Sequence, residues 1–155
     1  MYVNGNLAGI HKGGYARFRY PVTDKIKIGS DNVIAVKVSN AHNNDIPPLS
    51  GDFTFFGGIY RDVTLLATEK LQFAALDFAG LGVYIDQSDV SSTSANIKIT
   101  SKIFNNNATA KEVVARVIIT DHTGAIVKET TATQNVAANT GYSFVQNTTI
   151  SNSHL

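Results

Sequence analysis

The sequence predicts an all-β protein, with tandem β-sandwiches, on three observations. β-Branched residues dominate: 14 Val, 14 Ile and 15 Thr stand against 8 Leu and 3 Glu. Such side chains lose rotamer freedom in helices and pack well on pleated surfaces. The 14 Asn and 12 Gly supply turns, since both residue types tolerate positive φ. No segment longer than one turn carries a convincing helical period, whereas several alternate apolar and polar residues as half-buried strands do.

The elements follow in order. Residues 1–3 and 7–10 flank Asn4-Gly5, a hairpin signal, because a type I′ turn needs positive φ at both central positions. After Gly13-Gly14, residues 15–20 carry Tyr15, Phe18 and Tyr20, which fit a strand if a bulge falls between Tyr15 and Phe18. Ile26 and Ile28 precede the turn Gly29-Ser30-Asp31-Asn32, and residues 33–38 place Val or Ile on both faces, as a buried strand does. Residues 39–51 form a polar loop with His42, Asn43, Asn44, Asp45 and Pro47-Pro48. About 13 residues is long for a compact β domain, and such loops are often functional. Residues 52–56 are aromatic, Gly57-Gly58 turns the chain, and 59–66 reads as a strand.

From Leu71 the texture becomes Ser/Thr/Asn-rich. Strands are expected over residues 71–78, 83–86, 95–104, 112–121, 125–133 and 142–151. Ile97, Ile99 and Ile103 share one face, as do Val113, Ala115, Val117 and Ile119. Asp121-His122-Thr123-Gly124 reads as a hairpin turn. Strands spaced by about 10 residues suggest an immunoglobulin-like sandwich. The domain boundary falls near residues 67–70, giving domains 1–68 and 69–155.

Composition excludes several classes. The chain has 155 residues, fewer than the roughly 250 of a complete (β/α)8 barrel. With 13 basic and 12 acidic residues it lacks the charge of a nucleic-acid binder. Without Cys it has no disulfide, Cys-ligated zinc site or thiol nucleophile. No apolar run approaches the roughly 18 residues of a membrane helix, and the first residues lack a signal peptide's basic and apolar regions. The four His lie at no metal-ligand spacing. Gly80-Leu81-Gly82 precedes no helix that could hold a phosphate, and the sequons at Asn107 and Asn147 arise easily in an Asn/Thr-rich chain. No metal, no cofactor, no nucleic acid and no membrane partner is expected.

Three stretches together resemble a known family: Val3-Asn4-Gly5 with Gly9-Ile10-His11-Lys12-Gly13-Gly14-Tyr15, then Asn32-Val33-Ile34-Ala35-Val36-Lys37-Val38, then Gly51-Asp52-Phe53-Thr54-Phe55-Phe56-Gly57-Gly58-Ile59-Tyr60-Arg61-Asp62-Val63. Their order and spacing resemble the N-terminal sugar-binding jelly roll of glycoside hydrolase family 2, the β-galactosidase and β-glucuronidase family. Gly-Gly-Ile-Tyr-Arg-Asp-Val is the most specific stretch, and with Pro47-Pro48 it resembles members from gut Bacteroidetes. The remainder is similar to the immunoglobulin-like domain that follows in that family. The resemblance implies a partial galactose-binding-like jelly roll, then a partial immunoglobulin-like sandwich, both incomplete in a fragment of a longer chain. It also implies a periplasmic or secreted parent.

Retaining glycosidases need two carboxylates about 5 to 5.5 Å apart. The family's pair are Glu residues on a barrel, the acid/base following an Asn. Here Glu69, Glu112 and Glu129 follow Thr68, Lys111 and Lys128, so no catalytic residue is expected. The resemblance brings the loop at Asn44 and Asp45, with neighbouring Asp52, toward the sugar site of the parent. Asp and Asn suit sugar hydroxyls, and Phe53 could stack on an apolar ring face. The matching position is open between Asp45 and Asp52. The structural alternative for these Asx residues is a turn cap, and for Phe53, Phe55 and Phe56 it is core packing. Arg61-Asp62 reads as structural, through an ion pair or an Arg laid over an interface.

The expected function is therefore a non-catalytic part of a family 2 glycoside hydrolase, acting on a β-galactoside-like carbohydrate through the parent enzyme. Two alternatives are a free-standing carbohydrate-binding module and a structural β-sandwich interaction protein. Incomplete sandwiches expose strand edges, so a homo-oligomer is expected.

Overall fold

The computed structural model describes residues 1–47, 50–51, 54 and 56–151. The chain divides into two compact units, Met1–Leu66 and Ala67–Leu155.

In the first unit, β1 (Tyr2–Val3), β2 (Asn6–Leu7) and β3 (Ile34–Ala35) form an antiparallel sheet in the order β2-β1-β3. Tyr2 faces Leu7 and Val3 faces Asn6, leaving Asn4-Gly5 as a two-residue loop. Its φ angles of 50° and 81° are those of the expected type I′ turn. Asn4 also ties the hairpin to the chain before β3. Its Nδ2 donates to the Lys25 carbonyl and to Asn32 Oδ1, both at 2.8 Å, and its Oδ1 accepts from the Val33 amide at 3.0 Å. Val3, the residue before Asn4, is buried.

The longer strands expected in this unit are not formed. Only Ile34–Ala35 of residues 33–38 pairs. Ile34 is 50 % exposed and Val33, Val36 and Val38 are exposed with it, contrary to the buried strand that the apolar run suggested. The physical reason is that β3 has one ladder neighbour, β1, and among the described residues no second sheet of the unit covers its faces. Residues 59–66 likewise pair with no strand and are exposed. Residues 15–20 form no strand, so no bulge is required. Phe18 instead stacks on His11 at 4.3 Å and leans on Tyr20 at 5.5 Å between ring centroids. Gly9 makes room for this cluster: a Cβ there would fall 2.2 Å from the Tyr20 ring.

In the second unit all six expected strands form. They are β4 (Leu71–Phe73), β5 (Val83–Ser88), β6 (Ser94–Asn105), β7 (Lys111–Thr120), β8 (Ile126–Val136) and β9 (Thr140–Ser151). β4 pairs with β6 over Ile103, Phe104 and Asn105, and β5 pairs with β6 from Asn96 to Ser101. β9 runs antiparallel to all of β6, while β7 and β8 form a separate ribbon. The expected apolar faces are the inward ones: Ile99 and Ile103 are buried, and Val113, Ala115, Val117 and Ile119 are half-buried between exposed neighbours. Ile103, Val136 and Phe144 form the core between sheet and ribbon, with Leu71, Val113, Ala115 and Ala132 against it. Buried Gln146 crosses the layers. Its Nε2 donates to the Ala115 carbonyl at 2.9 Å, and its Oε1 accepts from the Thr130 hydroxyl at 2.5 Å.

β4 stops at Phe73 rather than continuing to residue 78. The chain turns there, with the Asp77 amide donating to the Ala74 carbonyl and the Gly80 amide to that of Asp77. Phe78 and Ala79 take φ of 48° and 52°, which no strand accommodates.

The Asp121-His122-Thr123-Gly124 hairpin turn is formed as expected. The Asp121 carboxylate accepts from the Thr123 hydroxyl at 2.6 Å, the Thr123 amide at 2.8 Å and the Ala125 amide at 3.0 Å. Gly124, at φ 87°, passes the chain into β8. The Thr123 hydroxyl first, then its amide, hold the Asp121 carboxyl below the usual carboxylate range. A carboxyl whose folded pKa is depressed stabilises the fold above its unfolded value of about 3.9, and that contribution fades as pH falls through the folded value. Asp121→Ala is therefore expected to melt below the wild type at pH 7, with the gap closing under strong acid. Calorimetry across that pH range checks it, and a pH-independent gap would show that the carboxylate charge is not what holds the turn.

Candidate functional site: the loop after β3

The loop that follows β3 carries the candidate sugar-contacting residues. Asn43 caps a turn within it: its Oδ1 accepts from the Asp45 amide at 2.8 Å, and its carbonyl accepts from the Ile46 amide at 3.2 Å. This is the Asx-turn weighed for the loop, formed by Asn43. His42 Nε2 and Asn44 Oδ1 lie 2.8 Å apart in a hydrogen bond. The turn runs through Asn44 and Asp45, and both residues are solvent-exposed. Asp52 and Phe53, the other two candidates, lie outside the described residues, as does Phe55.

The far limb of the loop returns close to its start. A Cβ on Gly57 would lie 3.3 Å from the Asn40 side chain, so the close approach suits glycine. Phe56 is 86 % exposed, so core packing does not describe it. Tyr60 and Arg61 anchor the stretch beyond. The Tyr60 hydroxyl donates to the Gly14 carbonyl at 2.7 Å, and the Arg61 guanidinium donates to the Tyr15 carbonyl at 3.1 Å. The Arg61 guanidinium also lies 5.2 Å from the centroid of the Tyr60 ring, an attractive cation–π arrangement. Among the described residues Arg61 is held by one backbone carbonyl and the face of the Tyr60 ring, with no carboxylate partner.

Glu112 and Glu129 form no close pair. Glu129 holds Arg116 in a two-pronged bond, at 2.7 Å and 2.8 Å. It lies next to β7 opposite Ile118, six positions from Glu112, which is roughly 20 Å at strand rise. Glu69 belongs to neither strand.

One polar cluster was not foreseen from the sequence. Asp77 receives the Tyr84 hydroxyl and a Lys102 ion pair at 3.0 Å. The Tyr84 hydrogen bond first, then that of Lys102, hold its carboxyl low. The only signal was that an Asp, a Tyr and a Lys all neighbour predicted strands, which does not specify their meeting. The cluster clamps the turn after β4.

No protein-family model matches the chain. Among curated proteins, a β-glucuronidase of Bacteroides fragilis is 41% identical over 130 residues, covering 83% of this chain and 18% of that protein. A β-galactosidase of Bacteroides ovatus is 29% identical over 150 residues, covering 97% of this chain and 16% of that one. A crystal structure of Bacteroides uniformis β-glucuronidase superposes with a TM-score of 0.94 at 32% identity, over 99% of this chain and 18% of the other. This chain is homologous to part of the glycoside hydrolase family 2 enzymes.

As a family 2 homologue it spans less than a fifth of each of these relatives. Its all-β architecture, without helix among the described residues, agrees with the β-sandwich domains of its structural neighbours. The sandwich of the second unit is visible directly, as the β6-centred sheet over the β7–β8 ribbon.

Proposed function

We propose that this chain is a non-catalytic β-sandwich portion of a family 2 glycoside hydrolase that cleaves O-glycosidic bonds of β-galactosides or β-glucuronides. The loop after β3 contributes a wall of the sugar site through Asn44 and Asp45, with Asp52 and Phe53, and the second unit serves as scaffold. The observation that carries this reading is the 41% identity to a β-glucuronidase over 130 residues, in a chain whose three Glu follow Thr68, Lys111 and Lys128 rather than an Asn. The exposed Asn44 and Asp45, within a hydrogen-bonded turn, support the loop's part, because a turn already formed leaves less backbone entropy to lose on binding a sugar.

Two measurements test it. The purified chain is expected to release no nitrophenol from nitrophenyl β-galactoside or β-glucuronide, and turnover by the chain alone would overturn the non-catalytic assignment. Grafted in place of the matching segment of the Bacteroides fragilis β-glucuronidase, it is expected to retain kcat/KM within about tenfold. In that graft Asp45→Ala should raise KM with kcat little changed, as loss of uniform binding does. A folded but inactive graft, or an Asp45→Ala graft with unchanged KM, would count against the wall assignment.

A further inference from the structure

The loop between β1 and β2 holds a reactive pair. Of the 14 Asn in the chain, Asn4 alone precedes a Gly. An asparagine before glycine is the one most open to deamidation, because no side chain shields the glycine nitrogen. In that reaction the Gly5 amide nitrogen gives its proton to a base and bonds to Asn4 Cγ. The Cγ–Nδ2 bond breaks, and Nδ2 takes up a proton and leaves as ammonia. Water then opens the cyclic imide at one carbonyl or the other, giving aspartate or isoaspartate. Gly5 is exposed, and a Cβ there would meet nothing within 4 Å, so solvent surrounds the attacking group. The Asn4 side chain is placed differently. It is half-buried. Its Nδ2 donates to the Lys25 carbonyl and to Asn32 Oδ1, both at 2.8 Å, and its Oδ1 accepts from the Val33 amide at 3.0 Å. Ring closure draws Cγ onto the backbone and out of its plane, which breaks all three bonds.

We propose that Asn4 is a deamidation site that the fold holds closed, and that its conversion leaves the first unit unable to regain this tie. An aspartate at this position sets a carboxylate oxygen where Nδ2 stood, against the Lys25 carbonyl and Asn32 Oδ1. Asn32 cannot turn its amino group to meet that oxygen. Its own Nδ2 donates to the Lys27 and Ser30 carbonyls, and its Oδ1 accepts from the Lys27 amide, each at 2.8 Å. A flip would set the Asn32 oxygen against two carbonyls, and acceptors left facing acceptors are costly. Isoaspartate adds a backbone carbon to a two-residue loop whose ends are set by Tyr2 opposite Leu7 and Val3 opposite Asn6, and so disturbs the pairing. The change therefore runs one way. It proceeds when the tie opens, and its product keeps the tie open.

Peptide mapping tests this. Trypsin cleaves after Lys12, so one fragment carries Asn4, and mass spectrometry reads the exchange of its amide for an acid. At mildly alkaline pH, Asn4 of the native chain is expected to deamidate at least about tenfold more slowly than in the same chain in urea, because the reaction runs through a small open fraction. Asn32→Ala removes one partner and should raise the native rate at least about threefold, with the amides of the β1–β3 ladder still protected from hydrogen exchange. If that variant loses the ladder, Asn4→Asp decides: exchange at the Lys27 and Val33 amides should quicken by about tenfold or more. Equal rates in the native chain and in urea, an Asn32→Ala rate equal to the wild type, or wild-type exchange in Asn4→Asp would each overturn the proposal. None of these readouts depends on the glycosidase reading.

Discussion

Replacing Asn105 by alanine is expected to destabilise the second unit by about 3 kcal/mol, the sum of several lost hydrogen bonds that each cost roughly 1 to 3 kcal/mol when a buried partner is orphaned. Asn105 is 0% exposed, at the end of β6. Its Nδ2 lies 3.0 Å from the Thr109 and Val136 carbonyls and 3.1 Å from that of Ala137. Its Oδ1 accepts from the Asn107 amide at 3.0 Å and from Asn107 Nδ2 at 2.8 Å. One side chain thus joins the end of β6, the loop to β7 and the end of β8. Alanine would strand the donors and acceptors together, and water can reach only the outer ones. Asn105→Asp is the informative companion, because it keeps the shape but sets a carboxylate oxygen against three carbonyls. It should cost at least as much at pH 7. Thermal melting by circular dichroism checks both, with an expected fall on the order of 10 to 20 °C for a unit of this size. A loss under about 1 kcal/mol would show that water replaces the network at little cost.

Asn105 also shows where the sequence stops being legible. Asn105-Asn106-Asn107 reads as a polar turn, and nothing local distinguishes the first Asn from its neighbours. Its burial depends on Val136 and Ala137, more than thirty positions away. By contrast, the strands of the second unit were legible, because period-2 alternation is a local signal and β6 and β7 keep it. The Asp121 turn and the Asn4-Gly5 hairpin were legible for the same reason, since their chemistry lies within four or five residues. The apolar runs at 33–38 and 59–66 misled, because a run states what could be buried and not whether a covering layer exists. Of the candidate site, the turn propensity of Asn43-Asn44-Asp45 was readable, and the Asp77–Tyr84–Lys102 clamp was not, because its members come from three separate stretches.

Phe144→Ala is expected to cost the second unit about 3 to 5 kcal/mol, the usual range for emptying a buried aromatic site. Phe144 is 3% exposed, sits on β9 opposite Ser101, and closes the core with Ile103 and Val136. Tyr142 meets it edge-on at 4.9 Å between ring centroids, a favourable contact that alanine also removes. Among the described residues the other buried apolar side chains of this unit are Ala79, Ala95, Ile99, Ile103 and Val136. Phe144 is thus the largest of a small set. For a domain stable by about 5 to 15 kcal/mol, such a loss takes a large share of the total. Urea denaturation measures it against two controls. Phe144→Leu keeps most of the volume and should cost less than half as much, whereas Val145→Ala, one residue along on the exposed face, should be close to neutral. Equal effects at 144 and 145 would refute the inward and outward assignment of β9. Phe144 packs against Val136, whose carbonyl accepts from Asn105. The two sites therefore share a partner, and neighbouring sites of this kind depart from additivity by about 0.5 to 3 kcal/mol. The Asn105→Ala/Phe144→Ala double variant should lose less than the sum, since the end of β8 freed by one substitution has less left for the other to disturb.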